Sequence, residues 1–80
     1  MSNVTLGKIL KDYRALHWLE QNKLASDINV TAPMISAIER EKLWASKKIC
    51  RALAKALNMP YEKIYEANLY QRNKLKGIIK

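Results

Sequence analysis

The chain has 80 residues, of which 49% are hydrophobic, and 15 lysines and arginines outnumber seven aspartates and glutamates to give a formal net charge of +8. This length supports one domain, and the apolar fraction excludes a disordered tail. With only two glycines, two prolines and many helix-forming residues, the composition predicts an all-α fold.

The positive charge favours polyanionic partners, because a field of this sign concentrates them near the protein. Nucleic acid is the first candidate and an anionic membrane surface the second, with a merely soluble basic protein as the alternative. No apolar run approaches the ~20 residues of a membrane span, and the N-terminus lacks the layout of a signal peptide. The single Cys50 has no internal disulfide partner, which favours a reducing cytoplasm.

The first predicted helix begins after Thr5, whose side chain can cap it, and runs to about His17. Apolar residues recur at steps of three and four along it. They predict its buried stripe, which consists of Leu6, Ile9, Leu10, Tyr13 and Leu16.

The stretch from Gln21 to Glu39 reads as two short helices joined by a tight turn. Asn29 tolerates the left-handed backbone that such a turn needs, and Thr31 is a good cap for the helix from Ala32 to about Glu39. A small residue is needed where two steeply crossing helices approach each other, and Ala25 fits that place.

In the second of these helices, Ile35 and Ile38 are spaced to point inward. Pro33 lies in the first turn, where a missing N–H costs little. The outward face is therefore predicted to be small and mostly apolar, and it consists of Ala32, Pro33, Ser36 and Ala37.

Ser46 can cap a fourth helix from about Lys47 to Leu57, and Asn58 can end it in a left-handed conformation. Pro60 begins a fifth. We assign residues 1–66 to the domain and residues 67–80 to a basic, partly apolar extension. A dimerisation helix or strand is the main interpretation of the extension, with a frayed tail or a basic arm on DNA as alternatives.

Taken together, the pattern resembles the Cro/cI-type (XRE family) helix-turn-helix DNA-binding domains from about Leu6 to Ile64. The resemblance implies a five-helix bundle similar to lambda repressor. The matching residues are Leu6-Gly7, Arg14, Gln21, Leu24-Ala25, Val30-Thr31, Ile35-Ser36, Ile38-Glu39 and Ala54-x-Ala56-Leu57.

The resemblance implies a clamp in which Arg14 pairs with Glu39 between the first and third helices. The chain also departs from the family at two turns, where Trp18 and Glu41 replace glycines. Tryptophan disfavours the left-handed geometry of a glycine turn, so we expect the turn at Trp18 to take another form.

The same resemblance implies that the third helix enters the major groove of double-stranded DNA. Its outward residues Ala32, Pro33, Ser36 and Ala37 would then face base edges, without a side chain suited to bidentate base contacts. We therefore expect DNA shape to supply much of the specificity. The residues implied to contact phosphates are Gln21, Thr31, Arg40, Lys42 and Lys47.

These expectations describe a cytoplasmic transcription regulator, a repressor of bacterial, phage or plasmid type, that binds operator DNA as a homodimer. The candidates for the dimer interface are Leu43, Trp44, Leu69, Leu75 and Ile78. The alternative is a module that works by protein–protein contact, as an antitoxin or co-regulator, since the face of the third helix and the tail are apolar.

No catalytic constellation is present in the sequence. His17 is the one histidine, no Cys/His cluster has metal-ligand spacing, and two glycines cannot build a phosphate-cradling loop. We therefore expect no enzyme activity, no cofactor and no metal.

Overall fold

A computed structural model describes residues 3–77, and the candidate Ile78 lies outside them. Within this range the chain forms five helices and no strand, which confirms the all-α prediction. The helices are α1 (Leu6–His17), α2 (Gln21–Asp27), α3 (Ala32–Glu39), α4 (Lys47–Leu57) and α5 (Tyr61–Leu75).

Three helices begin where a side-chain oxygen accepts a hydrogen bond from the first turn, as predicted. Thr5 accepts from the N–H of Lys8, Thr31 from Met34, and Ser46 from Ile49. Such a cap satisfies one of the backbone donors left unpaired at a helix start. The α2 helix differs, because Glu20 at its cap position makes no side-chain capping bond.

The core lies where α1 packs against both α3 and α5, while α2 packs on α3 and α4 packs on α5. Its larger fully buried apolar side chains are Leu6, Leu10, Leu24, Ile35, Ile38, Cys50, Leu53 and Ile64. The prediction for Leu16 is wrong. It lies near the end of α1 with 76% of its surface exposed, because no helix covers that last turn of the stripe.

Between residues 3 and 77, four turns contain a non-glycine residue with positive φ: Trp18, Asn29, Glu41 and Asn58. The two asparagines confirm the prediction. The expectation for Trp18 is wrong, since its φ of 52° is left-handed and the N–H of Leu19 donates to the carbonyl oxygen of Arg14 at 2.9 Å. The Trp18 ring is 94% exposed, so the turn keeps its glycine-like geometry without having to accommodate the indole in the core.

Gly7 sets the distance between α1 and α3. A Cβ atom at this position would lie 2.5 Å from the carbonyl oxygen of Ile38 and 2.9 Å from that of Glu39. Because both atoms are backbone, a side chain here would force the two helices apart. Glycine therefore lets the start of α1 rest directly on the end of α3.

The α5 helix continues through residue 66, so the first part of the predicted extension is helical. Ala67, Asn68 and Gln71 are buried on the bundle, whereas Leu75 is 41% exposed. In the described part of the chain, no helix is long and apolar enough to cross a bilayer.

Candidate nucleic-acid interface

The α2–α3 connection follows directly from its sequence. Asn29 adopts a φ of 60°, and the N–H of Val30 donates back to the carbonyl oxygen of Ala25 at 2.9 Å. Ala25 is only 2% exposed, as expected for a small residue where two helices approach. The turn thereby fixes the angle at which α3 leaves α2.

The outer face of α3 is accessible, and its opposite face is closed. Ile35 and Ile38 have no exposed surface, while Pro33 is exposed and three neighbours are half-buried, namely Ala32, Ser36 and Ala37. A shallow depression of about 370 Å³ lies on this side, and it is lined by Gln21, Ala32, Pro33, Ser36 and Arg40. The structure thus brings together residues from α2, α3 and the following turn that the sequence assigned to one surface.

Beneath this surface lies a buried carboxylate. Glu39 is 3% exposed and accepts from Nε and Nη2 of Arg14, the latter at 2.8 Å. It also accepts from Nε2 of Gln21 at 3.0 Å. Nη1 of Arg14 donates to the carbonyl oxygen of Leu19 at 2.9 Å. These bonds join α1, the α1–α2 turn, α2 and α3 in one network.

The network keeps Glu39 ionised. Burial alone raises the pKa of this carboxyl, but hydrogen bonds from Arg14 and Gln21, together with the charges of Arg14 and Lys11, bring the pKa below its ordinary value. The hydrogen bond to Glu39 correspondingly raises the pKa of Arg14. The pair is therefore charged and internally neutral below the depression.

The Gln21 side chain has a role that the sequence did not reveal. The family resemblance implies that it faces a phosphate, and the structure directs one N–H of its carboxamide to Glu39. The amide nitrogen carries a second N–H. Gln21 lines the depression, and its hydrogen bond to the buried Glu39 fixes the position of its side chain.

The expected phosphate-contacting cations differ from those lysines of α1 and α2 that form ion pairs with a neighbouring carboxylate. Lys8 and Lys23 form ion pairs with acidic residues one helical turn away. Arg40, Lys42 and Lys47 are exposed and form no ion pair within residues 3–77. The expected fifth phosphate contact, Thr31, is also exposed. These three cations of α3's surroundings are thus free of a direct ion pair within the described residues.

The sequence model of the helix-turn-helix family matches residues 10–64, which is more than half of the chain. The chain belongs to the XRE-type helix-turn-helix family. It is similar to an uncharacterised HTH-type transcriptional regulator from Methanocaldococcus jannaschii, with 41% identity over 56 residues. That alignment covers 70% of this chain and 85% of the archaeal protein.

In this helix-turn-helix protein, the candidates for a dimer interface differ in exposure. Leu43 is packed partly against the core, and Leu69 is half-buried. Trp44 is 38% exposed and Leu75 41% exposed. The ammonium of Lys76 lies 5.3 Å from the centre of the Trp44 ring, which brings the end of α5 to the α3–α4 loop.

Two buried polar residues of the helix-turn-helix protein were not singled out from the sequence. Asn68 is 6% exposed and Gln71 has no exposed surface, and both bond to the backbone of the segment between α3 and α4. Their spacing from the buried Ile64, at four and seven residues, is the helical signal that could have revealed them.

The described residues contain no group of three histidine, cysteine, aspartate or glutamate side chains that could hold a metal ion. A different kind of site lies on the surface around α3. Its small residues, hydrogen-bonding groups and unpaired cations suit contact with a polyanion.

Proposed function

We propose that this protein is a DNA-binding transcription regulator that places α3 in the major groove of operator DNA. The observation that carries the proposal is the accessible depression lined by Gln21 of α2, Pro33 and Ser36 of α3, and Arg40 after it. Membership of the helix-turn-helix family supports it, as does the description of the archaeal relative as a transcriptional regulator.

In this proposal the residues divide into two groups. Phosphates are held by amide, hydroxyl and cationic groups, which fix the position of the protein without reading sequence. Those groups belong to Gln21, Thr31, Arg40, Lys42 and Lys47. Base edges are met by Ala32, Pro33, Ser36 and Ala37.

The small size of the base-facing side chains has a consequence for specificity. Alanine and proline can contact the methyl group of thymine, and the Ser36 hydroxyl can donate or accept one hydrogen bond. No residue of this group can form a bidentate pair with a guanine or an adenine. Sequence-dependent DNA shape then contributes the larger share of the discrimination.

We further propose that the protein is a cytoplasmic repressor that binds as a homodimer and acts by occupying its operator. A two-fold dimer reads two half-sites whose centres are ~34 Å, or about 10 base pairs, apart. The partly exposed Trp44 and Leu75, close to the α3–α4 loop, support an interface on that side of the molecule.

The decisive experiment selects bound fragments from random DNA and then measures their affinity over a series of salt concentrations. With about six phosphate contacts per dimer, the affinity should fall by roughly 10³ between about 50 and 200 mM salt. An enriched sequence with this steep dependence supports the regulator. A flat salt dependence contradicts it.

Lys42→Ala serves as the test of the phosphate contacts, and Lys63→Ala is the matched control, since Lys63 is also exposed but lies on α5. Lys42→Ala should weaken binding to all sequences alike and lower the salt slope. Equal effects of the two substitutions would show only a general effect of charge.

A second function, protein–protein contact as an antitoxin or co-regulator, is favoured by the apolar character of the outer α3 face and by the 94% exposed Trp18. The same selection separates the two functions. Salt-sensitive binding without any enriched sequence would leave the protein-contact module open.

A further inference from the structure

We infer that Asn68 and Gln71, in the second half of α5, are positioning residues for DNA binding. They fix the segment between α3 and α4, and so determine where its cations meet the phosphates. The inference rests on the proposed function, because it concerns how Arg40, Lys42 and Lys47 are held. It gives the part of α5 beyond residue 66 a role other than dimerisation or contact as a basic arm.

Gln71 is the deeper of the two residues, with no exposed surface. Its Oε1 accepts from the N–H of Gly7 at 2.8 Å. Its Nε2 donates to the carbonyl oxygens of Ile38 at 3.0 Å and Leu43 at 2.7 Å. One carboxamide thus connects the start of α1, the last turn of α3 and the middle of the loop.

Asn68 lies one helical turn earlier and holds the far end of the same loop. Its Oδ1 accepts from the N–H of Ala45 at 2.7 Å, and its Nδ2 donates to the carbonyl oxygen of Ala45 at 2.8 Å. This two-way pairing satisfies both backbone groups of Ala45, which is 3% exposed. Ser46 follows directly and caps α4, so Asn68 also fixes where Lys47 begins that helix.

Two outer contacts continue the same pattern along α5. The ammonium of Lys74 lies 3.4 Å from Oε1 of Glu41, and Oε2 of Glu41 accepts from the Thr5 hydroxyl at 3.1 Å. The ammonium of Lys76 lies over the Trp44 ring. Successive turns of α5 therefore contact the loop at Ala45, Leu43 and Glu41, and Lys76, just after the helix, contacts it at Trp44.

The need for such support follows from the shape of the loop. Residues 40–46 include Glu41 in the left-handed region and have no regular secondary structure of their own. Backbone groups that leave a helix must find other partners when they are buried. Here side chains of α5 supply them, so Arg40, Lys42 and Lys47 are carried on a backbone that is held at both ends.

Asn68→Leu tests the inference, because leucine is similar in size and removes both bonds to Ala45. If each protomer loses one well-placed phosphate contact, the slope of log affinity against log salt should fall by about 2 per dimer. The control is Leu53→Val, a change in the core of α4 that lowers stability without touching the loop. It should leave the slope unchanged at temperatures where both variants are folded.

Hydrogen exchange provides a measurement that needs no DNA. The Ala45 amide should exchange as slowly as the core amides of α4, and roughly tenfold faster in Asn68→Leu. An Ala45 amide that exchanges as fast as an open loop in the wild type overturns the inference.

The DNA measurements separate this inference from the function on which it rests. Steep wild-type binding together with an unchanged slope in Asn68→Leu overturns the positioning role alone. A wild-type protein that binds no DNA in a salt-dependent manner overturns the proposed function, and the positioning role with it, even where Ala45 is protected.

Discussion

The Glu39 carboxylate is the residue on which the geometry of the α3 surface depends most directly. It is buried, and it receives three N–H donors from Arg14 on α1 and Gln21 on α2. A buried charge is stable only when it is paired and hydrogen-bonded. The three residues come from α1, α2 and α3, so these hydrogen bonds also help to hold the three helices in their relative positions.

Replacing Glu39 by glutamine should lower the free energy of unfolding by about 3 kcal/mol near neutral pH, because the Arg14 guanidinium loses its counter-charge. The effect should depend on pH. A lowered carboxyl pKa stabilises the fold above the pKa of an unfolded glutamate, about 4.3, and this stabilisation is lost as the pH falls through the folded pKa.

Urea denaturation of the wild type and Glu39→Gln at about pH 7 and about pH 3 measures this difference. The difference in the free energy of unfolding between the two proteins should be smaller at the acidic pH. Glu66→Gln, a change at an exposed glutamate of α5, is the control and should have little effect at either pH. A gap of constant size would show that the Glu39 charge is not the source of the stabilisation.

Individual residues also show why some features could not be predicted from sequence. Trp18 and Glu41 adopt the left-handed backbone although each costs about 1–2 kcal/mol relative to glycine. A local rule favours glycine there, but the surrounding helices fix the turn. Leu16 fits the helical period yet is exposed, since periodicity does not show where the neighbouring helices end.

At the scale of elements, the helices were largely predictable because their signals are local. Thr5, Thr31 and Ser46 mark three starts, and Asn29 and Asn58 mark two turns, each through the residue's own hydrogen bonds or backbone preference. The accessible face of α3 followed from the burial of its opposite face. The contacts of Asn68 and Gln71 did not follow, because polar residues on a helix are ordinarily assigned to its solvent face.

A substitution on the outer face of α3 tests whether this helix recognises bases. Ala37 is half-buried on α3, and Ala37→Gln introduces a side chain that can pair with adenine. The substitution should shift which sequences are enriched from random DNA, with about 1–3 kcal/mol of new discrimination at one base pair.

Lys42→Ala is the matched comparison for this experiment, since it should lower affinity without shifting the enriched sequence. If Ala37→Gln yields the same enriched sequence as the wild type, α3 is not the element that reads DNA. The two substitutions together distinguish recognition of bases by α3 from contact with the phosphate backbone.

At the scale of the whole molecule, the proposed function requires two copies. Trp44 and Leu75 leave partly exposed apolar surface near the loop, and Lys76 lies over the Trp44 ring. Burial of such aromatic surface is a usual source of association energy. A dimer formed there would set the separation of the two α3 helices.

Trp44→Glu should therefore shift the protein towards monomer in sedimentation experiments and weaken binding to a site with two half-sites by at least roughly tenfold. Trp18→Glu is the control, because Trp18 is more exposed than Trp44 and lies at the other end of the helix-turn-helix, after α1. A wild-type protein that sediments as a monomer on its operator would contradict the dimer.

Cys50 lies at the centre of the bundle with no exposed surface, and burial raises the pKa of its thiol to about 11. Because the thiolate is the reactive form, this sulfur is shielded both by packing and by its proton. Alkylating reagents can reach it only when the fold opens. The rate at which Cys50 is alkylated therefore reports how often the native protein opens. Mass spectrometry can measure this rate without any added label.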